Sequence, residues 1–591
     1  MHGGRWGSRP AVLALAVSLA SALVIVGPGL GRGYLLVRDM VFVPSPPLTG
    51  RLLGLGHENA RAVPSDLVVA LLSHVVPGQV VQKLVLVGIV VAAGVGAAAL
   101  VPRSAAPCAA AALAAIWNPY VGERLSMGQW ALLIGYAALP WVLRGIVDVA
   151  RGSDVGSSRV GAGMRLVLAL VLGSLGGGLA WVTIGVGLLA GAIAVAAGRG
   201  DRAGDVVRRC AWAGLLWLVL ALPWAVPALT RPSGPASDPL GFAVFAPRSD
   251  TVFGVVGSLL TGGGAWNSDA VPAGRSALLG GIGAALLLGW ALAGFVLTRG
   301  ARARALDSDA SAYRGPVAVA GGVGLLLGLI STRPALLEPL ASLPGGGLLR
   351  DGSRQLGPWV LVVAVGCAWG VHWLGRQHVG PALAWLVAAA PVAVLPALGW
   401  GLAGTFSPVD YPPDVRAAAQ ALGASRESGA VAVLPFEAYR RYDWNGGLSS
   451  MTPWSRLVDR RVVASSDLVV AQRSGPVRVA GEDEYAAEVA AALRGDDPGR
   501  ALGRLGVRWV LVDAPATPAP SGTSVLSSGP NVTVLQVQAP VDAAWPDRHD
   551  PPTAPVVVAD LVWVSGCIAA LWATRHRRVS QGSRRVRPTI R

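Results

Sequence analysis

The chain has 591 residues, of which 53% are hydrophobic and only 14% are charged, and its mean hydropathy is +0.54. Soluble domains carry about 25% charged residues, so this composition indicates a polytopic membrane protein. The net charge of +16 comes almost wholly from arginine, since Lys83 is the only lysine. Because cytoplasmic loops of membrane proteins collect positive charge, the basic excess does not require a nucleic-acid partner, and we expect none.

The motifs that the chain lacks narrow its chemistry. It has no Walker loop, no HExxH sequence and no GxSxG sequence in a strand-turn-helix setting, so ATP-driven and serine-hydrolase functions have no support. Its four cysteines, Cys108, Cys210, Cys367 and Cys567, lie in apolar runs without CxxC spacing. They predict neither a disulfide framework nor a zinc site, and we interpret them as packing residues.

The first predicted element is the apolar run AVLALAVSLASALVIVGPGL at residues 11–30. Roughly twenty uncharged residues can cross a bilayer, whereas the apolar part of a signal peptide is about 7 to 15 residues long. We therefore expect a retained membrane helix, with a signal peptide cleaved near the ASA tract at 20–22 as the alternative. If Arg5 and Arg9 stay in the cytoplasm, Asp39 emerges at the outer surface.

Further apolar segments continue the pattern to about twelve spans. They lie near residues 80–101, 105–117, 129–149, 165–182, 185–197, 210–229, 276–297, 316–331, 359–373, 383–403 and 556–573. The glycine-rich SLGGG sequence gives the pair between 165 and 197 an alternative, which is a single broken helix. The sequence LVVALLSHVV before the second span is too short to cross and predicts a helix at the interface.

The arginines provide an independent check on this topology. They are dense in the short loops that an even number of spans places inside, and in the tail RHRRVSQGSRRVRPTIR. The positive-inside rule then predicts a multi-pass plasma-membrane protein with both termini in the cytoplasm. The outer segments become 31–78, 118–128, 231–275, 333–358 and 405–555.

The last outer segment has the texture of a small extracytoplasmic α/β domain. DVRAAAQALGAS and EYAAEVAAALRGDDPGRALGRLG predict helices, whereas VAVLP, VRWVLVD and NVTVLQV predict strands. PATPAPSGTSVLSSG predicts a loop, and AWPDRHDPPTAP predicts a linker. The expected fold is therefore a mainly α-helical membrane bundle at 1–403, an α/β domain at 404–553, a last transmembrane helix at 554–574 and a basic cytoplasmic tail at 575–591.

Three clusters of polar residues fall on the outer side in this topology, each beside a helix end. The first is Arg38 and Asp39, with His57, Glu58 and Asp66 behind them; the second is Asn118, Tyr120, Glu123, Arg124 and Gln129; the third is Arg350, Asp351, Ser353 and Arg354. Each cluster alone could be an interfacial ion pair or a solvated helix start. Because charged groups near a bilayer are costly, three clusters on one face favour a shared cavity or pathway.

Several strings in these clusters carry a resemblance to a known class. They are RDMVFVPSPPL, AVPSDLVVALLSHVVPG, WNPYVGERLSMGQWALLIGYAALPW, LLRDGSRQLGPW and AVLPFEAYRRYDWNGG. The chain resembles uncharacterised actinobacterial membrane proteins that look like GT-C-type glycosyltransferases, which use polyprenyl-phosphate sugars. The resemblance implies a GT-C-like fold and places Asp39 where the general base of such an enzyme stands. The chain differs in having one acidic residue there, whereas a neighbouring pair is commoner.

The chemistry of glycosyl transfer agrees with this resemblance. A carboxylate can take the proton of an acceptor hydroxyl, which assigns Asp39 as the base. The leaving phosphate needs cations, and arginine pairs with two of its oxygens, so Arg350 and Arg354 are expected to hold it beside Asp351. Asn118, Glu123 and Gln129 complete the predicted substrate site as sugar contacts, with a divalent metal at Glu123 and Gln129 left open.

The expected partners are a polyprenyl-phosphate-linked sugar, an envelope glycan acceptor and the lipid bilayer, and an apolar groove between spans would hold the polyprenyl tail. Tyr439, Tyr442 and Trp444 lie beside Arg440 and Arg441 and could stack on the sugar rings of an acceptor. The alternative is that these aromatic residues fill the core of the α/β domain or its seat on the membrane part.

Two other functions remain as alternatives to the enzyme. Helices broken by glycine and proline are compatible with a transporter or flippase of a lipid-linked sugar. Coupled transport normally uses ionisable groups inside the spans, and here Arg144, Asp148 and His372 lie near predicted helix ends. The other alternative is a non-catalytic scaffold for envelope assembly.

Overall fold

The computed structural model describes residues 9–152, 159–232, 234, 236–298, 308–377, 380–472, 475–514 and 516–583. It is mainly helical. The α-helices are α1 Arg9–Val26, α2 Ser65–Ser73, α3 Gly78–Ala98, α4 Ala105–Ile116, α5 Pro119–Ser126, α6 Trp130–Arg151, α7 Arg159–Ser174, α8 Gly177–Ala197, α9 Ala203–Val219, α10 Leu222–Thr230, α11 Leu240–Val244, α12 Gly254–Leu260, α13 Leu278–Leu297, α14 Ser308–Ile330, α15 Gly357–Leu374, α16 Gly380–Val394, α17 Pro413–Ala424, α18 Trp454–Leu457, α19 Glu484–Arg494, α20 Pro498–Arg504 and α21 Thr553–Ser583. A short turn at Gly399–Ala403 follows α16 and contains left-handed backbone angles.

Eight helical segments in the described residues are long and apolar enough to cross a membrane. They contain α1, α3, α6, α8, α13, α14, α15 and α21, and the number rises to ten if two bent helix pairs each form one span. The predicted count of about twelve is not confirmed. The outer surface of the helices fits a bilayer environment, because large apolar side chains such as Leu279 and Leu286 are 82% and 69% exposed.

Two predicted spans differ from the structure. The helix expected at 105–117 is α4, whose 12 residues are too few to cross a bilayer core alone. The boundary expected between 182 and 185 is wrong, because the chain breaks at Leu175 and Gly176 and α8 then runs unbroken for 21 residues. Gly177 starts α8 with a φ of +61°, a backbone angle that glycine adopts easily.

Small residues bring the membrane helices close together. A side chain on Gly135 of α6 would press on Ala180 of α8, and one on Gly294 of α13 would clash with the backbone of Gly366 in α15. Membrane helices gain little from the hydrophobic effect between themselves, so such close backbone packing stabilises the bundle. The glycine-rich composition is therefore used for helix packing.

The α/β part contains a five-stranded sheet and two small hairpins. The strands are β1 Ala430–Leu434, β2 Tyr439–Arg441, β3 Ser449–Met451, β4 Val462–Val463, β5 Leu468–Gln472, β6 Gly475–Val479, β7 Val507–Val512, β8 Thr523–Ser528 and β9 Thr533–Val537. The sheet order is β4-β1-β7-β9-β8; β4, β1 and β7 are parallel to one another, and β9 and β8 add antiparallel pairs. β2 pairs with β3, and β5 pairs with β6.

The predicted helices and strands of this part are confirmed as α17, α19, α20, β1, β7 and β9. The loop prediction is wrong over β8, and the predicted linker contains a short helix at Trp545–His549. β8 is an edge strand whose last four residues are all exposed, so it lacks the apolar alternation that marks a half-buried strand. Alternate residues of β1 face two different cores, which explains its unbroken apolar sequence.

The chain between α1 and α2 anchors the α/β part on the helical bundle. Tyr34 forms an antiparallel bridge with Val409, and the Tyr411 hydroxyl donates to the Phe42 carbonyl at 2.9 Å. The Asn445 side chain donates to the Leu36 carbonyl at 3.0 Å. The segment that carries Asp39 is therefore held between the two parts of the molecule.

Candidate active site

Asp39 lies in a tight turn whose backbone packs against Gly128. The turn is closed by a bridge between Val37 and Met40, and the Asp39 amide donates to the Met127 carbonyl at 3.2 Å. Gly128 has a φ of +71°, and a side chain there would clash with the backbone of this turn. Only glycine tolerates both the positive φ and the close approach of the turn without strain. The loop after α5 therefore fixes the position of Asp39.

The Asp39 carboxylate is partly exposed and receives a hydrogen bond from the Tyr439 hydroxyl of β2. Burial and the charge of Asp39 raise the pKa of Tyr439 well above its usual value, while Arg61 and Arg354 act in the opposite direction. The phenol thus stays protonated and acts as a donor, and both arginines lie close enough to influence it. The α/β part in this way contributes directly to the surroundings of Asp39.

Arg38 does not pair with its neighbour Asp39. Its guanidinium donates to the Ser126 carbonyl and, at 3.5 Å, to the Asp269 carbonyl, while its backbone pairs with Ser449 and Met451 of β3. Arg38 adopts a backbone φ of +46°, which is unusual for a residue other than glycine. Arg38 therefore holds the turn between α5 and β3 and leaves the Asp39 carboxylate to Tyr439.

The second and third polar clusters form one buried network around Arg124. This side chain is completely buried; it donates to Gln129 Oε1 at 2.9 Å, to Asp351 Oδ2 at 3.2 Å and to Ser353 Oγ. Arg354 approaches the same Asp351 oxygen at 3.1 Å. Burial raises the pKa of Asp351, but Arg124 and Arg354 outweigh it and the net pKa is lowered, so this carboxylate stays ionised.

Glu123 belongs to a separate buried group. Burial, followed by the charge of Asp250, raises its pKa well above the usual value, which favours the protonated form of Glu123 beside the Asp250 carboxylate. Asp250 itself is ionised, because Arg275 donates to its Oδ2 at 2.7 Å and offsets the effect of burial, which leaves the pKa of Asp250 lowered. Glu123 is therefore the protonated partner of an Asp250–Arg275 ion pair.

Asn118, Glu123 and Gln129, which were predicted to contact the sugar or a metal ion, interact with other residues of the protein. The Asn118 oxygen caps α5 by accepting from the Val121 amide at 2.9 Å, and its nitrogen donates to two carbonyls of α4. Glu123 and Gln129 face Arg275 and Arg124 respectively, which does not fit a divalent cation. Among the described residues, no group of three His, Cys, Asp or Glu side chains is arranged to hold a metal ion.

Arg350 has different partners from Arg354 and reaches the α/β part. Its guanidinium stacks over the Phe245 ring with 5.2 Å to the ring centre, and it approaches Glu482 Oε1 at 3.4 Å. Glu482 comes just before α19 and was not singled out by the sequence. The two arginines predicted to share one phosphate thus contact different carboxylates.

The residues expected behind Asp39 tie the 50–66 loop to the α/β part. His57 is buried, with Nδ1 2.8 Å from Asp483 Oδ2 and Nε2 3.3 Å from the Val462 carbonyl. Burial lowers the pKa of His57, but Asp483 outweighs it and the net pKa is raised. Asp66 accepts from Arg51 at 3.2 Å and lies 3.0 Å from Arg456. These pairs act as structural ties.

Two of the three aromatic residues proposed to stack on sugars are packed against other residues of the protein, with Tyr442 buried and Trp444 half-buried. The Tyr442 hydroxyl donates to Asp513 at 2.9 Å, and Trp444 stacks on Tyr442 and contacts Tyr411. Arg440 is buried against Asp513 at 2.8 Å. Their positions fit the packing alternative, and Tyr439 is the aromatic residue that reaches a candidate site residue.

An apolar cleft opens beside the Glu123 group. The cavity itself has a volume of about 30 Å³, which is room for one water molecule, and it continues into open space at its mouth. Its apolar walls come from three helices: Ala284, Leu287 and Leu288 of α13, Val360 and Val363 of α15, and Val394 at the end of α16. Its polar edge is formed by Asn118, Thr261 and Arg275. The apolar walls and the polar edge match a chain with a polar end in character, and the walls have to separate to admit one.

The fold defines a multi-pass membrane protein, in which a bundle of apolar helices is joined to a small α/β part. Solved structures are similar in fold: arabinofuranosyltransferase AftD from mycobacteria matches with a TM-score of 0.53 and 17% identity over 91% of this chain. A mutant of AftD gives a TM-score of 0.56 and 17% identity over 92% of the chain. The resemblance to GT-C-like membrane proteins expected from the sequence is confirmed in the fold.

The likeness covers only part of AftD. The chain spans 40% of the length of the first structure and 42% of the second. No known family model matches the chain, and no curated protein matches it significantly.

Proposed function

We propose that the chain is a membrane glycosyltransferase that moves a sugar from a polyprenyl-phosphate donor to an envelope glycan or lipid acceptor. The observation that carries this proposal is the Asp39 carboxylate, partly exposed where the bundle meets the α/β part and held by Tyr439 with Arg61 and Arg354 nearby. A base beside cations is the arrangement that transfer from a phosphate leaving group requires.

The proposed step is a displacement at the anomeric carbon of the sugar. The acceptor oxygen forms a bond to this carbon while its proton passes to Asp39. The bond between the carbon and the phosphate oxygen breaks, and its electron pair leaves with the polyprenyl phosphate. The second negative charge that develops on this phosphate is the charge that Arg350 and Arg354 would stabilise.

The other predicted site residues are proposed to support this centre. Asn118, Gln129 and Asp351 use their polar atoms inside the protein, so we assign them to the framework that fixes α5 and the start of α15. Glu123 is assigned to the same framework through Asp250 and Arg275. The apolar cleft beside this group would hold part of the polyprenyl chain.

The sidedness of the site is also a proposal. Contacts place Asp39 beside the end of α5, and Arg124 of α5 bonds to Asp351, so the three polar clusters lie at one end of the bundle. We assign this end and the α/β domain at 404–553 to the extracytoplasmic side of the plasma membrane, with both termini in the cytoplasm. The dense arginines of the short loops and the tail support this orientation.

The direct experiment measures sugar transfer from a labelled polyprenyl-phosphate sugar in membranes that contain the chain. Asp39→Asn keeps the shape of the side chain and removes its basicity, so transfer should fall at least about a hundredfold. Asp443→Asn is the matched control, because Asp443 is an exposed acid of the same α/β part. Undiminished transfer by Asp39→Asn would remove Asp39 as the base.

A further inference from the structure

A cluster of arginines surrounds one carboxylate at the edge of the candidate site. Glu482 lies 3.4 Å from Arg350 through Oε1 and 3.4 Å from Arg61 through Oε2, and Asn59 donates to Oε2 as well. Arg231, which follows α10, acts on Glu482 through its charge. Two guanidinium groups thus contact this carboxylate and a third acts on it through its charge, which leaves an excess of two positive charges.

The acids nearest to this cluster are already neutralised. The charge of Asp483 acts on Arg231, but Asp483 is itself paired with His57, and Asp351 lies between Arg124 and Arg354. The Glu58 side chain lies 4.0 Å from Arg51, and its carbonyl is the atom to which Arg231 donates at 2.9 Å. The nearest acids therefore do not remove the excess charge around Glu482.

This excess is costly because two of the three arginines are nearly buried. Arg231 is only 7% exposed, and its Nε has no hydrogen-bond partner among the described residues. The Arg350 side chain is 11% exposed. Burial, followed by the charge of Arg61, lowers the pKa of Arg350 to about 10. Removing like charges from water without counter-ions is unfavourable, so an arrangement of this kind is suited to an anionic ligand.

An additional polar group lies next to Glu482. A side chain on Gly347 would meet the Ser237 hydroxyl at 3.0 Å and Glu482 Oε1 at 3.8 Å. The Ser237 hydroxyl is buried and has no hydrogen-bond partner among the described residues. An unsatisfied hydroxyl and the Glu482 carboxylate thus border the same narrow space beside Gly347.

We propose that Arg61, Arg231 and Arg350 form a binding site for a phosphate monoester dianion, and that Glu482 fills part of this site as an internal counter-ion. Two negative charges match the excess of two positive charges, and arginine forks pair well with phosphate oxygens. Ser237 lies where it can add a neutral hydrogen bond. Because Glu482 repels the ligand, it weakens phosphate binding and keeps the site from holding its ligand too tightly.

The identity of the ligand rests on the proposed function. A polyprenyl-phosphate sugar is a diester with one negative charge, whereas the polyprenyl phosphate released by transfer is a monoester with two. A site with two excess charges favours the leaving group over the donor, which is what stabilisation of the transition state requires. A water-soluble phosphate ester would present the same group, so the test must distinguish the two sources.

Binding is measured on the full chain in nanodiscs of neutral lipid, by the shift of its melting temperature with added ligand. The probes are polyprenyl phosphate, the uncharged polyprenol of the same length and inorganic phosphate. Polyprenyl phosphate should stabilise the protein and polyprenol should not. A stronger response to polyprenyl phosphate than to inorganic phosphate supports the lipid, and an equal response supports a soluble phosphate ester.

Substitutions test the residues. Arg61→Gln should weaken phosphate binding by about tenfold or more, as loss of a charge-assisted hydrogen bond does, and Glu482→Gln should strengthen it several-fold. The Arg61 side chain is 50% exposed, so its replacement leaves the fold intact, and Arg231→Lys tests the buried member without removing its charge. The control is Arg500→Gln, which removes an exposed arginine of α20.

Unchanged binding in both Arg61→Gln and Glu482→Gln would overturn the site. The assay needs no sugar transfer, so its result is independent of the proposed reaction. Phosphate binding that depends on the arginines, in a chain without transferase activity, would refute the reaction and keep the site. Transfer without such binding would refute the site alone.

Discussion

The Tyr439 hydroxyl donates a hydrogen bond to the Asp39 carboxylate across 400 residues of sequence. One group lies in the first loop after α1 and the other on β2, so the contact joins the bundle to the α/β part. A base that must meet an acceptor hydroxyl needs a fixed orientation, and a phenol that stays protonated can provide it. Tyr439 is therefore a positioning residue in the proposed reaction.

Replacing Tyr439 by phenylalanine keeps the ring and removes the hydrogen bond. We expect kcat for sugar transfer to fall about tenfold with little change in the KM for the donor, because Asp39 loses its orientation while the phosphate contacts remain. Tyr442→Phe is the control. It removes a hydroxyl bonded to buried Asp513, so it should lower the melting temperature and leave kcat near the wild-type value. Equal kcat in Tyr439→Phe and wild type would show that Asp39 needs no such support.

Gly128→Ala tests whether sugar transfer depends on the position of the turn that carries Asp39. A methyl group at this position would clash with the backbone of Val37 and Met40, so we expect the turn to shift and transfer to fall about tenfold to a hundredfold. Gly447→Ala imposes a similar backbone strain, since its φ is +70°, but a side chain there meets open space. If both variants lose the same activity, backbone strain and not the position of Asp39 is the cause.

The sequence predicted the groups around Asp39 better than it predicted their partners. Asp39, Arg124 and Asp351 stand beside apolar runs, so topology alone placed them at one end of the bundle. Asp250, Arg275 and Glu482 lie in loops without a periodic pattern. Their links to Glu123 and Arg350 join residues more than 100 positions apart. Arg38 and Asp39 look like an ion pair in the sequence, but the left-handed angle of Arg38 turns it toward the carbonyl groups of Ser126 and Asp269.

The buried Arg124–Asp351 pair should be critical for stability. Arg124→Gln leaves an ionised carboxylate with one fewer cation in a buried place, so we expect a loss of about 3 to 5 kcal/mol of unfolding free energy. Arg208→Gln breaks an exposed pair with Asp205 and should change stability by less than about 1 kcal/mol. Chemical unfolding of both variants in detergent measures the difference. A small effect in Arg124→Gln would mean that water reaches this network.

The His57–Asp483 pair predicts how stability depends on pH. The pKa of His57 is raised in the folded protein, so its contribution is complete below the ordinary histidine pKa of about 6.5 and is lost as the pH rises through the raised value. The melting temperature should therefore fall as the pH rises above about 6.5, and His57→Gln should reduce this dependence. His74→Gln replaces an exposed histidine that also lies between α1 and α3, and this variant should retain the pH dependence. The same pH dependence in His57→Gln and wild type would rule out the ion pair as its source.

Labelling of single cysteines tests the sidedness on which the proposed reaction depends. The four native cysteines are buried or partly buried, and alanine at these positions gives a background for introduced cysteines. Asp443→Cys lies on the exposed surface of the α/β part, and Arg208→Cys lies on an exposed face of α9 that we assign to the cytoplasm. A membrane-impermeant maleimide added to intact cells should label position 443 and leave position 208 unlabelled until the membrane is opened. Because Tyr439 of the same part bonds to Asp39, labelling at 443 reports the side on which Asp39 lies. The opposite pattern would place the candidate base in the cytoplasm and exclude transfer on the outer face.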